Sequence, residues 1–151
     1  MIILNKLYEF NVPDDDMVTV YILFLRSILE QSCVVWHTSI TEEEASDLER
    51  VQKVACKVIL KDRYESYEQA RSILNLKMLA DRRTDLCLRF AKKCLKMEKT
   101  RDMFPLNDCN QLENRHREKC FVQYASTGRL YDSAIPQMQR ALNVDAASKP
   151  K

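Results

Sequence analysis

The spacing of apolar residues changes along the chain, and the changes mark its elements. From Asp14 to about Val34 apolar side chains fall on nearly every side: Met17, Val18, Val20, Tyr21, Ile22, Leu23, Phe24, Leu25, Ile28 and Leu29. A helix that is apolar all round is expected to be covered all round, by the rest of the chain or by a neighbouring domain. From Thr41 the pattern becomes one-sided. Ala45, Leu48, Gln52, Ala55 and Ile59 follow one helical face, widened by Val51, Cys56 and Val58. A third long helix is expected from about Leu79 to Met97, with Leu79, Leu86, Cys87, Leu88, Phe90, Ala91, Cys94 and Leu95 on its apolar arc.

Local signals punctuate these stretches. Thr41 and Glu44 have the spacing of a capping box, as do Ser66 and Gln69 ahead of a short helix ending near Leu74. Leu7 to Pro13 reads as a helix end and a turn, with Asn11 suited to the left-handed conformation of a helix stop and Pro13 suited to opening the next helix. Asp14, Asp15 and Asp16 then fall in a first turn, where carboxylates meet the positive end of the macrodipole.

Beyond Phe104-Pro105 the pattern fades. Asn107 to Lys119 is polar without a sustained period, and Cys120 to Tyr124 fits a short strand or a helical turn. A last short helix is expected from about Pro136 to Asn143, followed by a disordered end, Val144 to Lys151. The expected fold is therefore all-α. It is an irregular array of about four to five helices with a poorly ordered C-terminal tail. Residues 1–105 form a helical domain, and 106–151 an irregular extension.

Composition narrows the function classes. A single glycine, Gly128, removes the dinucleotide-binding and phosphate-loop readings, which need several for tight turns and close backbone approach. A hydrophobic fraction of 46% with 30% charged residues argues against wholesale disorder. The net charge of +2 is too small for bulk charge to predict a nucleic-acid partner. Six cysteines without a CxxC pair, and an N-terminus without a signal-peptide pattern, point to an intracellular setting, nucleus or cytoplasm. The longest apolar run, near Val18 to Leu25, is too short to span a bilayer, so no membrane partner is expected.

Candidate chemistry is sparse. Asp14, Asp15 and Asp16 read as helix-start residues rather than a metal cluster. Cys109, His116 and Cys120 offer three widely spaced ligands where structural zinc needs four, so no metal site is assigned. His37 beside Trp36 has no arguable nucleophile, and reads as the polar end of an aromatic plug that buries most of the Trp36 ring. Two basic faces remain. Arg50, Lys53, Lys57 and Lys61 form one; Arg82, Arg89, Lys92, Lys93 and Lys96, interrupted by Asp85, form the other. Such cations give sequence-independent contact with phosphates. The same pattern also describes amphipathic helices with solvated outer faces.

Over Leu25 to Leu60 the chain resembles the region that follows the reverse transcriptase core in non-LTR retrotransposons of the Jockey-like and related groups. Arg26, Leu29, Glu30, Val35, Trp36 and His37 fit the first half of that pattern; Leu48, Glu49, Gln52, Lys53, Ala55, Ile59 and Leu60 fit the second. Phe10, Val12 and Pro13 resemble its "F-G-V-P" turn, with Asn11 in place of glycine. Tyr64, Ser66, Tyr67, Glu68 and Ala70 resemble a further box, as do Leu76, Leu79, Arg82, Arg83, Leu86, Cys87, Phe90, Ala91 and Lys92. Thr127, Arg129, Ser133, Ile135, Pro136, Leu142 and Asn143 resemble the terminal one. Gln31 departs from the usual aromatic, and Lys61-Asp62 from the usual glycine after Leu60.

The resemblance implies a non-catalytic C-terminal thumb or post-thumb piece of an RNA-directed DNA polymerase. The paired aspartates that hold Mg2+ in the parent enzyme would lie upstream of Met1, so this chain alone is expected to have no enzymatic activity and no cofactor. The implied partners are the polymerase core and RNA or an RNA–DNA hybrid, with no small-molecule substrate. The alternative is a stand-alone helical interaction module, or an inert relic of the element.

Overall fold

The computed structural model describes residues 1–105, 120–122 and 124–148. The chain is all-α, and no strand is present among the described residues. Its helices are shorter and more numerous than the four to five expected. In order they are α1 (Ile2–Glu9), α2 (Asp14–Val20), a π-helical stretch (Tyr21–Arg26), α3 (Ser27–Glu30), α4 (Cys33–Trp36), α5 (Glu42–Leu60), a 3-10 turn (Lys61–Arg63), α6 (Tyr67–Ile73), α7 (Leu79–Lys96), α8 (Glu98–Arg101), α9 (Gly128–Tyr131) and α10 (Ala134–Ser148). The chain divides into two compact units, Met1–Cys33 with Ile40–Arg83, and Val34–Ser39 with Thr84–Lys151. The division falls within α7; the boundary expected at residue 105 abuts residues 106–119, which lie outside the described residues.

In the first unit the core joins Leu4, Met17, Tyr21, Ala55, Cys56, Ile59, Leu60, Tyr67, Ala70, Leu74 and Leu76. The expected face of α5 supplies the centre: Gln52, Ala55, Cys56 and Ile59 are fully buried, while Leu48, Val51 and Val58 are partly so. The start of α5 follows from sequence. Thr41 Oγ1 accepts from the Glu44 amide at 3.2 Å, and Glu44 Oε2 accepts from the Thr41 amide at 2.8 Å, completing the capping box. For α6, the Gln69 amide donates to Ser66 Oγ at 3.2 Å.

Two helix stops share one geometry. After α1, Asn11 has φ 54°, its amide donates to Tyr8 O and the Val12 amide to Leu7 O. After α6, Asn75 has φ 50°, its amide donates to Ser72 O and the Leu76 amide to Arg71 O. These are Schellman closures, which satisfy carbonyls that the helix leaves open and need a residue at ease with positive φ. The Asn11 stop is as expected; the Asn75 stop carries the same signal and was not singled out.

The apolar helix from Asp14 departs from expectation in its length. It does not run to Val34, because Ser32 at φ 53° breaks it after Glu30 and α4 restarts at Cys33. Of the two expected sources of cover, the described part of the chain supplies only one side. Met17 and Tyr21 are fully buried, but Leu23, Phe24 and Ile28 are 62%, 61% and 69% exposed. The core of the unit reaches one side of the helix only. The π-helical stretch, with its wider turn, sits where these side chains face outward. Ser27 Oγ donates back into the carbonyls of Leu23 and Phe24 at 2.7 and 2.9 Å, a local bond that eases the irregular backbone.

In the second unit Cys87, Ala91, Cys94, Phe104, Cys120, Met138 and Leu142 form the core. Asn143 binds the backbone of Cys120 through both ends of its amide, accepting from Cys120 N at 2.8 Å and donating to Cys120 O at 3.0 Å. Beside it, the Phe121 amide donates to Pro105 O at 2.7 Å. Thr127 caps α9 through the Leu130 amide. The final helix begins at Ala134 and continues to Ser148, past its expected end at Asn143, and residues 149–151 lie outside the described residues.

Candidate nucleic-acid interface

α5 carries its acidic residues at one end and its basic residues toward the other. Glu42, Glu43 and Glu44 occupy the first turn; Lys57 lies in the last and Lys61 at the C-cap. This polarity suits the helix dipole, and so already gives the cations a structural role. Their surroundings go further. Arg50, Lys53, Lys57 and Lys61 are all exposed, and among the described residues no carboxylate pairs with any of them. Three of the four lie over tyrosine rings. Lys53 Nζ is 5.2 Å from the Tyr67 centroid, Lys57 Nζ 5.3 Å from that of Tyr64, and Lys61 Nζ 3.7 Å from that of Tyr8. The negative face of an aromatic ring attracts an ammonium at these distances and limits where a flexible lysine places it. Arg71 lies 5.2 Å from the same Tyr67 ring and lines a shallow, open concavity of about 290 Å³ with Glu68, Ser72, Asn75, Leu76 and Lys77.

The cations of α7 are held differently. Arg82 is not a free surface charge: its Nε and Nη2 donate to the two carboxylate oxygens of Glu30 at 2.5 and 2.9 Å. Arg26 Nε lies 3.9 Å from the same carboxylate, making a partly buried cluster in the first unit. Burial and the nearby Arg82 charge lower the Arg26 pKa. Lys92, in the second unit, pairs with Asp145 at 2.8 Å. Arg89, Lys93 and Lys96 are exposed and make no ion pair among the described residues. Of the nine cations singled out from sequence, Arg82 and Lys92 are therefore committed to internal carboxylates.

The tyrosines join a buried polar network that sequence reading missed. Tyr21 Oη donates to Gln52 Oε1 at 2.8 Å. Gln52 Nε2 donates to Tyr67 Oη at 2.8 Å and to Lys77 O at 2.9 Å. Tyr67 Oη donates to Glu49 Oε1, and Glu49 Oε2 accepts from the Leu79 amide at 3.0 Å. The Glu49 carboxylate thus sits at the first turn of α7, where its charge meets the positive end of that helix. Burial raises the Tyr21 and Tyr67 pKa values well above the ordinary range, with the Glu49 hydrogen bond adding to the effect at Tyr67. Burial also pushes the Cys56 thiol up to about 11, which keeps it protonated and inert. The available signal was Glu49 and Gln52 beside the apolar face of α5, three residues apart.

The other candidates fall into structural places. Asp14, Asp15 and Asp16 occupy the first turn of α2, and Asp14 accepts from Arg63. His37 Nε2 is 3.3 Å from Thr84 Oγ1, and Trp36 is partly buried, with most of its surface covered. Among the described residues no cluster of three or more His, Cys, Asp or Glu is arranged to hold a metal, and no helix is long and apolar enough to cross a membrane. Cys109 and His116 lie outside the described residues; Cys120 is a buried free thiol. Comparison with protein-family models, with curated proteins and with solved structures yields no match.

Proposed function

We propose that this chain acts as a non-catalytic, nucleic-acid-contacting helical piece of a retrotransposon-type reverse transcriptase, holding RNA or an RNA–DNA hybrid by its backbone. The observation that carries the reading is the α5 face. It presents four exposed cations without carboxylate partners among the described residues, three of them steadied by tyrosines. The motif residues of the resemblance support it from within. Glu49, Gln52 and Tyr67 build the buried network, and Arg26, Glu30 and Arg82 build the ion cluster. In this reading those residues fix the helices and the lysines do the binding. The exposed Leu23, Phe24 and Ile28 would then meet the polymerase core.

That apolar face also favours the second reading, a helical module that binds a protein partner. The two part in one titration. The full chain is mixed with a labelled RNA–DNA duplex over a series of salt concentrations. Four phosphate contacts predict a slope of log K against log salt of about −3 to −4. Absence of binding at low salt removes the nucleic-acid reading and leaves the interaction module. The same protein with a primer, nucleotides and Mg2+ is expected to give no extension.

A further inference from the structure

Lys53 and Lys57 stand four residues apart on α5, about 6 Å of helix rise, and Lys61 follows four residues later at its C-cap. Each ammonium has its own ring beneath it: Tyr67 from α6, Tyr64 from the segment before it, and Tyr8 from α1. The rings come from three separate parts of the first unit and converge on one helix face. Tyr67 is buried and anchored by Glu49 and Gln52, while Tyr8 and Tyr64 are half-buried. None of the three lysines spends its charge on an internal carboxylate among the described residues, in contrast to Arg82 and Lys92.

We infer that Lys53, Lys57 and Lys61 form a pre-set row that takes successive phosphates of a single nucleic-acid strand, with Tyr67, Tyr64 and Tyr8 as positioning residues. This rests on the nucleic-acid reading above and sharpens it to one helix, one strand and one order of contacts. A lysine free in water samples many rotamers and loses that freedom when it binds. A lysine already held over a ring loses less, so the row binds more tightly than its charge alone would give. Compact ammonium point charges also suit a backbone with one charge per repeating unit, and read no sequence.

The test uses the full chain and a labelled single-stranded RNA oligonucleotide, with affinity measured by fluorescence anisotropy across a salt series. Exchanging Lys53→Gln, Lys57→Gln and Lys61→Gln together is expected to make the slope shallower by about 2, at about 0.7 per single-strand phosphate contact. Exchanging Arg89→Gln, Lys93→Gln and Lys96→Gln together is expected to leave it nearly unchanged. Tyr64→Leu and Tyr8→Leu keep every charge. They are expected to weaken binding severalfold at constant slope, while Tyr64→Phe and Tyr8→Phe restore it because the ring face remains. Circular dichroism of each variant checks that the fold is intact.

If the α7 variant loses binding and the α5 variant does not, the row is wrong and nucleic-acid binding stands. If the wild type binds no RNA at low salt, both fail. If leucine at positions 8 and 64 changes nothing, the tyrosines position nothing. If polyglutamate of matched charge competes as well as RNA, the row serves an acidic polypeptide and the proposal is overturned.

Discussion

Lys61 stands at φ 45° and ψ −113°, a backbone state that a side chain rarely adopts. The pattern that the sequence resembles has glycine after Leu60, and glycine, without a Cβ, enters this region freely. A non-glycine residue there costs on the order of 1–3 kcal/mol. Lys61 stands there with its ammonium 3.7 Å over the Tyr8 ring, a contact that glycine could not make. Two substitutions separate the terms. Lys61→Ala and Lys61→Gly both remove the cation, but only glycine relieves the backbone. Its looser unfolded state offsets roughly 0.5–1 kcal/mol of that relief. In urea unfolding Lys61→Gly should therefore exceed Lys61→Ala in stability by about 1 kcal/mol. A Lys61→Gly protein less stable than Lys61→Ala by about 0.5–1 kcal/mol would mean that the backbone at Lys61 is unstrained. Asn11 and Asn75 take positive φ as well, and there the residue type announces it; nothing in a lysine does.

α5 links its neighbours through polar atoms as well as apolar ones. Gln52 is fully buried, yet its amide satisfies Tyr21 from the π-helical stretch, Tyr67 from α6 and the Lys77 carbonyl ahead of α7. A fully partnered network in a low-dielectric core fixes one arrangement of the helices, because any slip leaves a buried group alone. Gln52→Leu keeps the volume and removes the partners. It orphans the buried Tyr21 hydroxyl and takes one donor from Tyr67 Oη and one from the Lys77 carbonyl, so a loss of about 1–3 kcal/mol is expected. Tyr21→Phe leaves only Gln52 Oε1 short of a donor and should cost about 1–2 kcal/mol. Urea unfolding with an unchanged m-value is the measurement. A Gln52→Leu protein as stable as wild type would show that apolar packing alone holds α5. From sequence, Gln52 counted only as a position on the apolar face. The spacing gave its burial, while its partners, from 15 to 31 residues away along the chain, follow from tertiary packing.

Across the whole molecule, the legible features were those set by near neighbours. The helical class, the α5 core face, the Thr41 cap and the Asn11 stop depend on residues within a turn or two of one another. Ion partners were illegible because Glu30 and Arg82 lie 52 residues apart, and the two-unit division because α7 crosses it as one continuous helix. What covers the apolar helix was illegible for a related reason. Periodicity reports which residues prefer to leave water, not whether the chain supplies enough surface to cover them. Leu23, Phe24 and Ile28 remain exposed on one stretch, and such a patch favours association with another surface. The wild-type chain should therefore sediment as larger species at rising concentration. Exchanging Leu23→Gln, Phe24→Gln and Ile28→Gln together should keep it monomeric. Since the three side chains are mostly exposed, each exchange should shift stability by no more than about 0.5 kcal/mol. The alternative outcome is equally sharp. If the triple variant unfolds at markedly lower urea while staying monomeric, those side chains are covered within the chain in solution. The all-round burial expected from the pattern would then be right, and the face would not be open to a polymerase core.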